Sequence, residues 1–199
     1  MERVGKFLLA LLTVLLITTQ TNSNVSGVKV QGDYYFKPVK PLDYFRYSRQ
    51  DVDCLAKNIY FEAGVESTAG RLAVANVTLN RTVSKQYPNS VCEVVKEGKH
   101  RYNEKKDEWF PIRDMCQFSW YCDGRLDVPN PGRTWEDAQN LATLVMQKHQ
   151  KKILIDITDG ATHYHANWME SYPLWSFHHK KVASIDRHIF YKAKKRNRR

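Results

Sequence analysis

The stretch from Leu55 to Arg81, LAKNIYFEAGVESTAGRLAVANVTLNR, constrains this chain more than any other. Apolar residues recur at three and four positions on either side of a single break: Leu55, Ala56, Ile59 and Tyr60 before Gly64, then Leu72, Ala73, Val77 and Leu79 after Ser67 and Thr68. Asp51 or Asp53 is expected to cap the first helix, Gly64 to end it, and Ser67 or Thr68 to cap the second. The small residues Ala69, Gly70, Ala73 and Ala75 allow close packing along the second helix. The pattern predicts a helical hairpin with Glu62 and Glu66 at its elbow.

At 199 residues the chain is long enough for one domain with a core and short for two ordinary ones. Residues 24–50, with Gly27, Gly32, Pro38 and Pro41 among aromatics, read as an extended arm or linker. After the hairpin, Val91 to Val95 reads as a short helix or strand, Glu97 to Pro111 as a polar surface loop, and CQFSWYCDG from Cys116 as an aromatic strand or turn. Thr134 and Asp137 resemble a capping box for a helix through His149. Ile153 to Ile157 and Ala161 to Ala166 read as strands about an Asp159-Gly160 turn, and Ser184 to Tyr191 as a last strand or loop. The expected fold class is helix-rich α+β: one domain over residues 51–191 with a small hairpin or sheet.

Residues 1–23 have the form of an export signal. Arg3 and Lys6 precede an apolar run from Phe7 to Ile17, and small polar residues follow to Ser23. An uncleaved membrane anchor over residues 7–19 is the alternative. The formal charge of +10 is concentrated: six of the cations lie in residues 192–199, which leaves +4 for everything before them. An anionic wall polymer or a membrane surface is therefore the partner expected of that basic tail, and with an export signal in front no nucleic-acid partner is expected. Cys54, Cys92, Cys116 and Cys122 in an exported chain imply two disulfides with three possible connectivities. The short separation of Cys116 and Cys122 favours a clipped loop, with Cys54 left to Cys92. No Cys-x2-Cys pair is present, and the spacings match no common zinc module.

Chemistry concentrates at the elbow. A carboxyl works as a general acid near neutral pH when burial raises its pKa, and Glu62 directly follows Ile59, Tyr60 and Phe61 at a helix C-terminus, whose dipole also disfavours the ionised form. Gln117, Ser119 and Trp120 are candidates to hold a sugar, Trp120 by stacking and Gln117 by hydrogen bonding, although a core tryptophan with a satisfied amide fits the same pattern. His163 and His165 flank Tyr164 on an expected strand, so both imidazoles share one face. No third metal ligand accompanies them, and no metal or cofactor is expected.

Five blocks, NIYFEAGVESTAGRLAVANVTLNR, YPNSVCEVV, CQFSWYCDG, DGATHYHANW and RHIFY, resemble in sequence and order the signature blocks of the SleB/CwlJ cell-wall hydrolase family. The resemblance runs from about Cys54 to Tyr191. It implies a lysozyme-like fold, peptidoglycan as substrate, cleavage between N-acetylmuramic acid and N-acetylglucosamine, Glu62 as the catalytic acid, and His163, Tyr164 and His165 near the cleft. The family's elbow usually reads Glu-Ala-Arg-Gly-Glu; here Gly64-Val65 stands between Glu62 and Glu66. Ordinary glycosidases flank the bond with carboxylates ~5–5.5 or ~6.5–9.5 Å apart. Glu62 and Glu66 would be neighbours on one side if the helix continued, which favours a single-acid, lytic transglycosylase scheme with Glu66 binding substrate or holding the loop; plain hydrolysis by water is the alternative. The competing readings are a metal-dependent amidase or peptidase using His163 and His165, and a wall-binding protein without catalysis.

Overall fold

The computed structural model describes residues 47–194, so the export signal, most of the arm and the last five residues of the tail lie outside the described residues. Helix α1 (Arg49–Ala63) and helix α2 (Thr68–Val83) form the predicted hairpin. The cap of α1 is Ser48, not Asp51 or Asp53: the Ser48 hydroxyl accepts the Asp51 N–H at 3.0 Å and the Asp51 carboxylate accepts the Ser48 N–H at 3.1 Å. Ser67 caps α2 as expected, accepting from the Ala69 and Gly70 N–H groups.

Helix α2 differs from the one-sided helix its sequence implies, because every residue from Ala73 to Leu79 is buried. Ala75 and Leu79 pack into a larger core with Leu55 and Ile59 of α1, while Ala73 and Val77 pack into a smaller one with Ala161 and Phe190. Asn76 and Thr78 are buried with them but partnered. Asn76 accepts the Ile157 N–H at 3.2 Å, and the Thr78 hydroxyl donates to the Val74 carbonyl and accepts from Asn58, both at 3.0 Å.

Helix α3 (Val91–Val95) is tied to α1 by the Cys54–Cys92 disulfide. The region expected as a surface loop is instead a hairpin, β1 (Gly98–Asn103) against β2 (Glu108–Cys116), antiparallel with Asn103 opposite Glu108. It escapes detection by periodicity because most of its side chains are exposed on both faces, which removes the apolar alternation that marks a half-buried strand. A 3-10 turn, Ser119–Cys122, follows, clipped by the Cys116–Cys122 disulfide, so both expected pairings form.

Helix α4 (Arg133–Gln150) packs Ala138, Ala142, Val145 and Met146 against α1. Its cap position is Gly132 at φ 134°, without a side-chain hydrogen bond, and Asp137 faces Arg71 at 3.5 Å in place of a capping box. The strand expected at residues 153–157 is absent. The Asp156 carboxylate accepts the N–H groups of Thr158 at 2.8 Å and Gly160 at 2.7 Å, and this local wrap, with Asp159 and Gly160 both at positive φ, replaces a ladder. Ile153 and Ile155 are left exposed. Strand β3 (His163–Ala166), helix α5 (Leu174–His178), strand β4 (His179–Ile185) and strand β5 (His188–Ala193) complete the chain, the strands forming an antiparallel sheet in the order β3-β5-β4. The fold is the mixed, helix-rich α+β class expected.

Candidate active site

Glu62 lies in the last turn of α1, with its carboxylate turned toward β3. The Tyr164 hydroxyl donates to Glu62 Oε2 at 2.8 Å. Burial pushes the Glu62 pKa up, while this hydrogen bond and the nearby Arg81 guanidinium pull it partly back. The balance is a carboxyl held above its ordinary range yet stabilised as an anion by two specific groups. Tyr164 itself is raised well above the ordinary tyrosine range, by its burial and by Glu62, so it remains a donor.

Arg81, at the end of α2, is buried. Its charge centre sits 4.8 Å from the Phe118 ring centroid and 5.0 Å from that of Tyr87, and Nε donates to the Thr162 carbonyl at 2.8 Å. The carbonyl it caps therefore belongs to the residue before β3, not to its own helix. Asn80 beside it donates to the Asp156 carboxylate and to the Ala161 carbonyl, each at 3.0 Å. Together the Asn80-Arg81 pair fixes the entry to β3, and with it the Tyr164 hydroxyl that meets Glu62.

Glu66 takes no part in that network. Arg187 Nε and Nη2 both lie 2.7 Å from Glu66 Oε1, and the neighbouring Asp186 carboxylate accepts the Ser67 N–H at 2.9 Å and the Ser67 hydroxyl at 2.7 Å. The β4–β5 turn is thereby clasped onto the elbow. Gly70 has no side chain for a steric reason: a Cβ there would run into the Asp186 carboxylate and come within 2.8 Å of Glu66 Cβ.

The remaining candidates divide. Trp120 is buried, its Nε1 donates to Asn58 Oδ1 at 2.9 Å, and it stacks on Phe61 at 4.7 Å, which matches the core reading of this residue; it supports the residue next to Glu62. Gln117 and Ser119 are exposed, with no side-chain hydrogen bond among the described residues. His163 contacts Tyr87 at 3.3 Å and Thr162 at 2.9 Å, and its ring lies 4.4 Å from that of His179. Burial, with His179 and Arg81 adding, pushes its pKa down to about 4. His165 is buried, 3.0 Å from the Tyr191 hydroxyl and 2.9 Å from the Ala166 carbonyl. Both histidines are thus held by protein groups, whereas it is Tyr164, on the alternate face of the strand, that meets Glu62. Among the described residues no three His, Cys, Asp or Glu side chains are grouped to hold a metal ion.

Sequence reasoning missed the electrostatic reach of Arg81 and the Arg187 clasp. The Asn-Arg pair closing an otherwise apolar helix was the available signal for Arg81. Arg187 opens the RHIFY block, but nothing in that block points to Glu66, 121 positions away.

The elbow carboxyl of Glu62, steadied by Tyr164 and backed by the buried Arg81, lies just before a span that matches a known family. The family model described as Cell Wall Hydrolase matches residues 65–191, and the chain belongs to that family. The matched span opens three residues after Glu62. Among solved structures, the chain is similar to the catalytic domain of the Bacillus cereus SleB protein, at 25% identity and a TM-score of 0.53 over 73% of this chain and 92% of that one. It is likewise similar to the catalytic domain of the germination-specific lytic transglycosylase SleB from Bacillus anthracis, at 26% identity and a TM-score of 0.52 over 74% and 98%. A spore cortex-lytic enzyme of Bacillus cereus is 41% identical over 51 residues, 26% of this chain, and the matched part spans only 20% of that relative's length.

Proposed function

We propose that this protein cleaves the glycan strand of peptidoglycan between N-acetylmuramic acid and N-acetylglucosamine as a lytic transglycosylase, with Glu62 as its single catalytic acid and base. The observation that carries the reading is the division of labour at the elbow: Glu62 is held by Tyr164 with its pKa raised, while Glu66 is occupied by Arg187. In the first step Glu62 gives its proton to the glycosidic oxygen, and the bond from that oxygen to C1 breaks. In the second the Glu62 carboxylate takes the proton of the muramic 6-hydroxyl as that oxygen bonds to C1, which closes a 1,6-anhydro ring and returns Glu62 to its acid form. Tyr164 and Arg81 stabilise the carboxylate between the two steps, so that one group can serve as acid and then as base.

Export is part of the proposal. The signal-like first 23 residues support it, and so do two disulfides with no free cysteine among the described residues, which fit an oxidising compartment. Among the described residues no helix is long and apolar enough to cross a membrane. The basic tail is proposed to hold the enzyme to anionic wall polymers or a membrane surface.

The test is mass spectrometry of purified peptidoglycan digested with the wild type, Glu62→Gln and Glu66→Gln. Anhydro-muropeptides are expected from the wild type, to fall by at least about 100-fold in Glu62→Gln, and to persist in Glu66→Gln. Equal activity in the two variants would sink the assignment. Products with new peptide termini and unchanged glycan would return the amidase reading.

A further inference from the structure

Beside the 3-10 turn the surface carries a groove of about 380 Å³ that the glycan-cleaving scheme does not use. Arg101, Lys106, Arg113 and Arg125 line it together with Tyr121, and no carboxylate does. Arg113 and Arg125 have acidic neighbours at 3.7 and 4.0 Å, Asp114 and Asp123, but Arg101 and Lys106 have no ion-pair partner among the described residues. Lys106 lies 5.3 Å from the Phe110 ring centroid. Gly124, at φ 85°, takes the left-handed turn beside the Arg113 guanidinium that a side chain would adopt only with strain.

Packing does not account for this charge. The β1–β2 hairpin that forms one wall is solvated on both faces and contributes little to the core. Its position is informative: Tyr121 meets Trp120 edge-on at 6.2 Å, and Trp120 stacks at 4.7 Å on Phe61, the residue before Glu62. Two ring contacts therefore join one wall of the groove to the residue before Glu62.

We infer that this groove binds the carboxylates of the peptide stems that muramic residues carry beside the cleavage point, an inference that rests on the glycan-cleaving reading. Guanidinium groups match carboxylates in a planar, paired geometry, and Lys106 adds a point charge. Stem peptides are favoured over separate anionic polymers because they are covalently part of the strand the acid must hold, and ring contacts join the groove wall to the residue before that acid.

The experiment titrates the full chain with stem peptides released from purified peptidoglycan by an amidase, and follows binding by NMR or calorimetry. Saturable binding near the millimolar range is expected, weakening as salt is raised. It should weaken at least about tenfold when Arg101→Glu and Lys106→Glu are combined, and remain in Glu62→Gln. No saturable binding, or equal binding by the doubly reversed variant, overturns the inference. Tighter binding of a phosphodiester wall polymer, lost in the same variant, also overturns it and reassigns the groove. The two readings fail separately: stem binding without glycan cleavage removes the glycosidase proposal, and glycan cleavage without stem binding removes this one.

Discussion

Replacing Tyr164 with Phe isolates the hydrogen bond that tunes the acid. The ring keeps its neighbours, Phe190 at 5.6 Å and His188 at 5.2 Å, so packing is retained and only the hydroxyl that donates to Glu62 at 2.8 Å is lost. A hydrogen bond to a charged group is worth about 1.5–3 kcal/mol, and that amount is removed from the carboxylate form alone. At about 1.4 kcal/mol for each tenfold change, the carboxyl-to-carboxylate balance moves ~10 to 100-fold toward the acid. The alkaline limb of the kcat/KM profile, where Glu62 must still carry its proton, is expected to move up by about one to two pH units. At pH values below the alkaline limbs of both proteins the maximal rate should fall, because Glu62, without the donor that stabilises its carboxylate, is a weaker acid in the proton-donating step. The assay is release of soluble anhydro-fragments from purified peptidoglycan across pH 4 to 9, with Glu62→Gln as the inactive baseline. An alkaline limb that stays put, in a variant whose thermal unfolding matches the wild type, would refute the claim that Tyr164 acts on Glu62 through this bond.

Two further outcomes test the energetics. Because the folded-state pKa of Glu62 lies above its unfolded value, the folded chain holds the proton more tightly, and stability is lost as pH rises from the unfolded pKa through the folded one. Glu62→Gln is therefore expected to raise Tm at pH 7, by on the order of 1 kcal/mol in stability, with the gain vanishing in acid; a Tm difference independent of pH would show that charge burial is not its source. Removing Cys54–Cys92, which closes a separation of 38 residues, should cost ~4 kcal/mol on the chain-entropy view, against ~2 kcal/mol for the 6-residue span of Cys116–Cys122. Denaturant unfolding of the paired Cys→Ala variants measures both, and an inverted order would count against that account.

The features legible in the sequence were those written locally. Ser67 as a cap, the two helices α1 and α2 with the apolar periodicity of α1, and the elbow with its two glutamates are short-range signals, and they survive in the structure. What was lost depended on distant partners. Asp137 looked like half of a capping box because Thr134 is three residues away, yet Arg71 lies opposite it across the helix interface. Trp120 fits both a sugar platform and a core position by its sequence. Asn58, 62 positions earlier, draws its indole into the core. The strand expected over residues 153–157 failed for a local reason that periodicity does not register, the capture of two backbone N–H groups by Asp156. The family blocks placed His163, Tyr164 and His165 together near the cleft, but only the alternation of β3 distinguishes the residue that meets the acid from the two turned to other partners.

The Gly64-Val65 departure at the elbow can be read in the same physical terms. Gly64 has right-handed backbone angles, so it is not there to supply a left-handed turn; a side chain at that point would strike the Tyr60 carbonyl oxygen, and steric closeness is the constraint. Its own carbonyl accepts Arg71 Nη2 at 2.7 Å, so an arginine from α2 steadies the elbow from outside the motif. Val65 is exposed and bears no load, which makes it the position where sequence can drift. Beyond it the geometry tightens again: Glu66 is held by Arg187, Ser67 by Asp186, and Gly70 leaves room for both. These contacts dock the sheet turn onto the start of α2, while Asn80 and Arg81 hold the entry to β3 at the end of the same helix. Tyr164 is thus located from both ends of α2, and the distance between its hydroxyl and Glu62 follows from the elbow's fixed points, not from the identity of the three residues between the glutamates.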